Sequence, residues 1–322
     1  MILAIKLPND ISDRVLTFPF LHALYRYLEE SLDEDESLII HLISLQKGID
    51  VLNLLPFKAF YHELEDEDIK TIFSIHRACM NFKIEGLDVF ISTTESFVDA
   101  SIGKNFSAKT RAGFAIGKNS WFLNKKISLN EEKHFSQQVF DLIKVVTDDV
   151  VPIKNVYSRN LSPFFSDYGE KPYLVINLDV VEGQFNYEWK EFIELFENKK
   201  IILLTHDFEV DLQKSELESF VGELSPKNEY EVFVLDSHID FAKLVTYAAC
   251  FITHDSYLSY ISAYCGAYTF LLNRRTHNKS KAPAHFLGET KYFDLRERSQ
   301  YAKAFDTMYT YIEDKTKVEA DD

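Results

Sequence analysis

The sequence predicts an α/β protein built as two doubly wound parallel-sheet domains. Three observations carry this expectation. Residues 173–272 alternate strictly between short apolar runs and helical patterns, as stacked βαβ units do. The chain opens in the same way, with an apolar strand over Ile2–Lys6, a polar loop and a helical run over 14–28. Between the halves, Pro152, Pro163, Gly169 and Pro172 place breakers densely enough to mark a domain connection.

Composition bounds the possibilities. The chain of 322 residues is long enough for two domains, and 46% apolar content is enough for a core in each. Only 10 Gly and 8 Pro argue against low-complexity tracts. A net charge of −16 opposes nucleic acid and anionic membranes as primary partners, leaving at most peripheral membrane association. Cys79, Cys250 and Cys265 are odd in number and lie in or near apolar segments. They read as reduced core thiols of a cytoplasmic protein. No apolar run approaches a membrane span, and MILAIKLPND does not read as a signal peptide.

In the first half, the loop after Ile2–Lys6 carries Asn9, Asp10 and Asp13. The helical run beyond it has apolar residues at Val15, Leu16, Phe18, Leu21, Leu24 and Leu28, and Pro19 is expected to break it or to start the helix proper. Helix capping is the favoured reading of Asp10 and Asp13, with a general base at the sheet's carboxyl edge as the alternative for either. Strands are expected at 38–45, at Phe60–Leu64 on an edge, and at 88–92, the last followed by the polar loop Thr93, Thr94, Glu95 and Ser96. Residues 49–55 suit a short helix ending at Pro56, 66–79 a helix, 108–117 a short strand with turns, and 131–146 a long helix. His134 near the start of that helix reads as structural rather than catalytic.

In the second half, strands are expected at 173–178, 201–204, 230–235, 250–253 and 268–272. The helices between them fall at 187–197, 211–224, 239–249 and 257–264. Loops at strand ends hold the groups suited to a ligand, because open α/β sheets bind at the carboxyl ends of their strands. Thr205 and His206 follow one strand, and His254, Asp255 and Ser256 follow another and open a helix. Asp255 and Ser256 read as N-caps or as neighbours of an anion held by the free backbone N–H groups. Arg274, Arg275, Lys279 and Lys281 form the most basic stretch of an acidic chain, either phosphate-facing or solvated. A last helix over 297–313 carries Tyr301, Ala304, Met308 and Ile312 on one face, before a charged tail.

A resemblance runs through these segments in order. ILAIKLPNDISDRVLTFPFLHAL (2–24), IDVLNLLPF (49–57), AKTRAGF (108–114) with His134, YLVINLD (173–179), IILLTHD (201–207) and HDSYLSYISAYCGAYTFLLN (254–273) are similar to segments of the bacterial heptosyltransferases. These form glycosyltransferase family 9. The resemblance implies a GT-B-like fold, with two Rossmann-type domains facing a central cleft. Residues 1–166 would bind the acceptor and 167–296 the nucleotide-sugar donor, with 297–322 a helix returning toward the first domain plus the tail. The family transfers a sugar, usually heptose from ADP-heptose, to the lipopolysaccharide core. Asp13, six residues before Pro19 as in the family pattern, would be the general base, and Asp255 and Ser256 would lie at the donor. Departures accompany the match. Ser12 replaces a Gly, Gln184, Phe185 and Asn186 occupy the region of a family Lys, Tyr257 stands for a Gly and Tyr260 for a His.

The functional expectation is therefore an inverting, metal-independent glycosyltransferase that uses no cofactor beyond its nucleotide-sugar substrate. Asp13 is the expected base. Thr205, His206, His254, Asp255 and Ser256 are the expected donor contacts, with Arg274 and Arg275 added on charge alone. Asn9, Asp10 and Thr94 are the expected contacts to a glycan or lipopolysaccharide-core acceptor. The alternative is a catalytically degenerate relative that binds a nucleotide sugar, a glycan or a partner without turnover.

Overall fold

A computed structural model describes residues 1–33, 36–147, 172–177, 187–205, 210–254, 256–273, 279–283, 290–295 and 299–316. The chain divides into two compact units, Met1–Arg159 with Asn278–Ala282, and Asn160–His277 with Pro283–Asp322.

The first unit is a six-stranded, all-parallel sheet. Its strands are β1 (Ile2–Lys6), β2 (Ile39–Leu45), β3 (Phe60–Leu64), β4 (Val89–Ser92), β5 (Thr110–Phe114) and β6 (Lys125–Ile127), in the order β3-β2-β1-β4-β5-β6. The central strands are apolar and almost wholly buried, as parallel strands covered on both faces must be. The helical run after β1 divides in two, into α1 (Ile11–Leu16) and α2 (Phe18–Ser31). Pro19 sits in the first turn of α2, where its missing N–H has no intrahelical partner to lose. The Thr17 hydroxyl at the junction donates to the Arg14 carbonyl at 2.6 Å. The helices α3 (Ile72–Cys79) and α4 (Phe97–Asn105) pack on a core that includes Ala4, Ile43, Ile75, Phe90 and Ile102. The Thr71 side chain and Ser74 close a capping box, so α3 starts at 72 rather than at 66. The long helix expected over 131–146 is instead α5 (Phe135–Phe140) followed by a 3-10 turn, Asp141–Val145. Ile143, Val145 and Val146 are β-branched and stiff at χ1, which weakens a regular continuation there.

The second unit repeats the plan. Its strands are β7 (Tyr173–Asn177), β8 (Lys200–Thr205), β9 (Glu229–Val234), β10 (Cys250–His254), β11 (Thr269–Asn273) and β12 (Thr290–Asp294), all parallel, in the order β12-β11-β10-β7-β8-β9. Taken in chain order, both sheets have the 3-2-1-4-5-6 arrangement of a doubly wound fold. The helices α6 (Tyr187–Glu194), α7 (Val210–Gly222), α8 (His238–Thr246) and α9 (Leu258–Tyr264) connect the strands, and α10 (Ser299–Lys315) closes the unit. Ala304, Met308 and Ile312 of α10 are fully buried in this unit's core, beside Phe192, Phe196 and Phe270. The strands β6 and β12 were not expected from the sequence. Both are short edge strands with polar residues, KKI and TKYFD, so neither carries an apolar run. Among the described residues, no helix is long and apolar enough to cross a membrane.

Two outcomes test this packing. A Cβ at Gly103 of α4 would stand 2.4 Å from Cδ1 of Phe90, a fully buried ring on β4. Gly103→Ala is therefore expected to cost about 1–3 kcal/mol in urea unfolding, despite alanine's better helix propensity. Cys79, Cys250 and Cys265 are all buried, and burial pushes every one of these thiols upward, Cys79 and Cys265 to about 12. Ellman's reagent should titrate none of them in the native protein and all three after denaturation.

Candidate functional site

In each sheet the strand order reverses between the two central strands, and the loops at their carboxyl ends are where ligands of such folds bind. In the first unit these ends belong to β1 and β4, with Lys6 paired to Ser92 in register.

Lys6 ends β1 and is completely buried. Its ammonium donates to the Leu7 carbonyl at 2.6 Å and to Asn9 Oδ1 at 2.8 Å, and lies 3.6 Å from Asp99 Oδ2. Burial lowers its pKa against the pull of Asp99, and Arg14 lowers it further. The Asp99 carboxylate in turn accepts the Thr94 hydroxyl at 2.7 Å. The Thr93 hydroxyl donates to the Lys6 carbonyl at 2.8 Å. A single buried charge thus joins the loop after β1 to the loop after β4. Arg14, also fully buried, donates to the carbonyls of Pro8 (3.3 Å), Asn9 (3.1 Å), Lys47 (3.2 Å) and Gly48 (2.8 Å). It joins the loop after β1 to the loop after β2.

On this fixed loop the two aspartates take different roles. Asp10 is the N-cap of α1, its Oδ1 accepting from the backbone N–H groups of Ser12 (2.8 Å) and Asp13 (3.2 Å). Capping alone accounts for it. Asp13, one turn later, caps nothing in the described structure. Its carboxylate is 17% exposed and accepts from Lys281 Nζ at 2.5 Å. Burial pushes the Asp13 carboxyl above its ordinary value of 3.8, the hydrogen bond and charge of Lys281 pull it down, and Asp10 pushes it up.

Lys281 belongs to the 278–282 stretch that packs with the first unit. It lies in the 3-10 turn Lys279–Lys281, and its ammonium stands 5.0 Å from the Phe135 ring centroid. His134, the N-cap of α5, holds the same stretch. Its Nδ1 accepts from the Ser136 backbone N–H at 3.3 Å, so Nε2 carries the proton and donates to the Ala282 carbonyl at 2.9 Å. The reading of His134 as structural holds, and its structural task is to anchor the turn that reaches Asp13.

The second unit's central ends belong to β7 and β10. Asn177 Nδ2 donates to the Thr253 hydroxyl at 3.0 Å, both side chains being buried. His254 Nδ1 donates to the Leu272 carbonyl at 3.2 Å, and its ring meets Trp189 edge-on at 5.7 Å. The Ser256 hydroxyl accepts from the Leu258 N–H at 3.3 Å, at the entrance of α9. Thr205, at the end of β8, is buried. The Tyr257 ring turns edge-on to His238 of α8, at 5.5 Å. His206, Asp255, Arg274 and Arg275 lie outside the described residues.

Within the first unit the structure brings Asn9, Asp10, Asp13 and Thr94 to one sheet edge. It adds Lys6, Arg14 and Asp99, which the sequence reading did not select, and Lys281, which that reading took as phosphate-facing or solvated and which pairs with Asp13. Lys6 and Arg14 left a signal, being cations set within apolar strand and helix patterns. Lys281 was visible only as part of a basic stretch, with nothing to say that it meets a residue 268 positions away.

The fold is of the GT-B-like class, with two doubly wound parallel-sheet domains in one chain. Over 98% of its length the chain matches Escherichia coli heptosyltransferase WaaC with ADP, at a TM-score of 0.72 and 13% identity, covering 100% of that protein. A glycosyl transferase family 9 protein from Veillonella parvula matches with a TM-score of 0.71 and 12% identity, over 98% of this chain and 97% of that one. UDP-GlcNAc 2-epimerase from Methanocaldococcus jannaschii is less similar, at a TM-score of 0.54 and 15% identity over 95% and 92%. No protein-family model matches the chain, and no curated protein matches it by sequence. At these identities the likeness shows the fold.

The Asp13–Lys281 pair gives a measurable titration. Lys281→Ala removes the influence that lowers the carboxyl and leaves burial and Asp10, which raise it. The Asp13 resonance in carboxyl-carbon NMR should therefore titrate at higher pH in that variant than in the wild type. An unmoved titration would mean that the pair does not form in solution. There is also a consequence for stability. A carboxyl held above its free value binds its proton more tightly in the folded state, so stability falls as pH rises through the window above 3.8. Asp13→Asn should accordingly raise the thermal midpoint at neutral pH relative to its effect below 3.8.

Proposed function

We propose that this chain is an inverting, metal-independent glycosyltransferase, a divergent member of the heptosyltransferase family. It would move a sugar such as heptose from a nucleoside-diphosphate donor to a cell-envelope glycan such as lipopolysaccharide core. The observation that carries the reading is Asp13, a largely buried carboxylate with a raised pKa at the carboxyl edge of β1. In this reading it acts on a hydroxyl held by the loops after β1 and β4. The proteins of similar fold include WaaC determined with ADP and with ADP-2-deoxy-2-fluoro heptose, which supports a nucleotide sugar as donor.

In this reading Asp13 takes the proton of the acceptor hydroxyl as its oxygen bonds to the anomeric carbon. The bond from that carbon to the diphosphate breaks on the opposite face, so the configuration inverts. Raising the carboxyl's pKa makes it a stronger base, provided that the working pH leaves it ionised. Asn9 and Thr94 orient the acceptor. In this reading Thr205, His206, His254, Asp255, Ser256, Arg274 and Arg275 contact the donor. The cytoplasm, where nucleotide sugars are available, is the expected compartment.

A second reading is favoured by one observation. Tyr257 occupies the place of a family glycine at the start of α9, where a side chain limits how closely a ligand can approach the backbone. Binding of a nucleotide sugar without turnover is the outcome this substitution would produce.

The two readings separate in one experiment. Thermal unfolding is followed with ADP, UDP and GDP, since a nucleotide that binds only the native state raises the midpoint by mass action. Transfer from the nucleotide sugar so identified is then assayed in wild type and Asp13→Ala. The transferase reading expects a shift in both proteins, with transfer in the wild type alone. A shift without transfer in either would support the non-catalytic reading. Unchanged turnover in Asp13→Ala would remove Asp13 from its role.

A further inference from the structure

The two carboxylate oxygens of Asp13 have different surroundings. Oδ2 accepts from Lys281 Nζ at 2.5 Å, and Oδ1 accepts no hydrogen bond among the described residues. One oxygen is anchored and the other is left for a further donor. A carboxylate has lone pairs on both oxygens, so an ammonium on one does not keep a hydroxyl from the other. Lys281 is itself held in place. Its ammonium stands 5.0 Å from the centroid of the Phe135 ring, within the range of a cation–π contact. One residue on, the Ala282 carbonyl accepts from His134 Nε2 at 2.9 Å. His134 caps α5 and Phe135 is its first residue, so one helix end grips the turn by its backbone and supports the ammonium.

Stability does not explain this fastening. An ion pair whose lysine is 43% exposed contributes little to folding, because water screens it. The surroundings of Asp13 explain it better. Burial disfavours the charged carboxylate, and Asp10 at the start of the same helix disfavours it too. The other charged or titratable groups around α1 are turned to different partners. Arg14 donates to carbonyls of the loops after β1 and β2. The His22 ring of α2 lies edge-on to Phe57 at 6.3 Å. Lys133, just ahead of α5, pairs with Asp141. Among the described residues, Lys281 is the group that favours the ionised form of Asp13.

We propose that Lys281 is a positioning residue of the transfer reaction, fixing one oxygen of Asp13 and balancing its charge while the other oxygen receives the acceptor hydroxyl. The inference rests on the transferase reading of Asp13. As the hydroxyl oxygen bonds to the anomeric carbon, its proton passes to Asp13 Oδ1 and the carboxylate becomes a carboxylic acid. The electron pair of the broken carbon–oxygen bond leaves with the diphosphate. Lys281 keeps its own proton throughout. An ammonium beside a carboxylate weakens it as a base, so the gain lies elsewhere. It keeps a largely buried carboxyl ionised, and therefore able to act as a base at all, at the working pH.

The test follows transfer from ADP-heptose to lipopolysaccharide core oligosaccharide across pH, with the full chain as wild type, Lys281→Met and Lys281→Arg. The acid limb of kcat/KM reports ionisation of the base in the free enzyme. Without the ammonium the carboxyl titrates higher, so the limb of Lys281→Met is expected at higher pH, with activity lost most on the acid side. Lys281→Arg keeps a cation and is expected to hold the limb near its wild-type position. With its anchor gone, Asp13 is misplaced as well, so the plateau kcat of Lys281→Met should fall about tenfold with the KM for ADP-heptose unchanged. If Lys281→Met does not fold, Lys281→Gln keeps a hydrogen-bond donor without the charge and is expected to move the limb in the same direction. A limb that stays in place in the uncharged variant while transfer persists overturns the role and leaves the transferase reading standing. Equal losses at every pH in the Met and Arg variants overturn the role too, since a merely structural lysine would behave in that way. Absence of transfer by the wild type overturns the transferase reading and this role with it.

Discussion

The buried ammonium of Lys6 is the constraint on which the first unit's functional edge depends. A charge at the end of a central strand cannot be solvated there, and its burial costs several kcal/mol unless partners are supplied. The partners come from Leu7, Asn9 and Asp99, and through Asp99 from Thr94. The loops after β1 and β4 have therefore little freedom to move apart. Arg14 imposes the same condition on the loop after β2 by binding four carbonyls. Asp13 begins from a frame fixed on both sides.

Among the described residues, the second unit ties the same topological position with neutral groups. Where the first sheet has Lys6 and Asp99, the second has the amide of Asn177 on the hydroxyl of Thr253. Neutral hydrogen bonds tie strand ends more weakly than charge-assisted ones. The two units share one strand order and differ in the described groups that tie their central strand ends.

Much of the fold was legible in the sequence, because parallel strands covered on both faces must be continuous apolar runs. Ile2–Lys6 and Phe60–Leu64 appear with the expected limits, and Phe60–Leu64 lies on the expected edge. The strands that escaped, β6 and β12, are edges with too little buried surface to leave a pattern. The division at Thr17 was legible from Pro19, whereas the shortening of the 131–146 helix was not, since its apolar spacing also suits a 3-10 turn. Of the site, Asp13 was legible, its local pattern favouring a cap and the family resemblance implying a base. The structure gives the cap to Asp10 and leaves Asp13 to Lys281.

By itself, then, the sequence determined the alternation of elements, the apolar cores and the strand ends at which polar groups collect. These are local properties, written in periodicities of a few residues. The tertiary structure alone decided which distant side chains meet. Lys281 on Asp13, His134 on the Ala282 carbonyl and Lys6 beside Asp99 each join residues far apart in the chain. No local pattern encodes such pairings, because they arise from where the strand order and the crossovers deliver each loop.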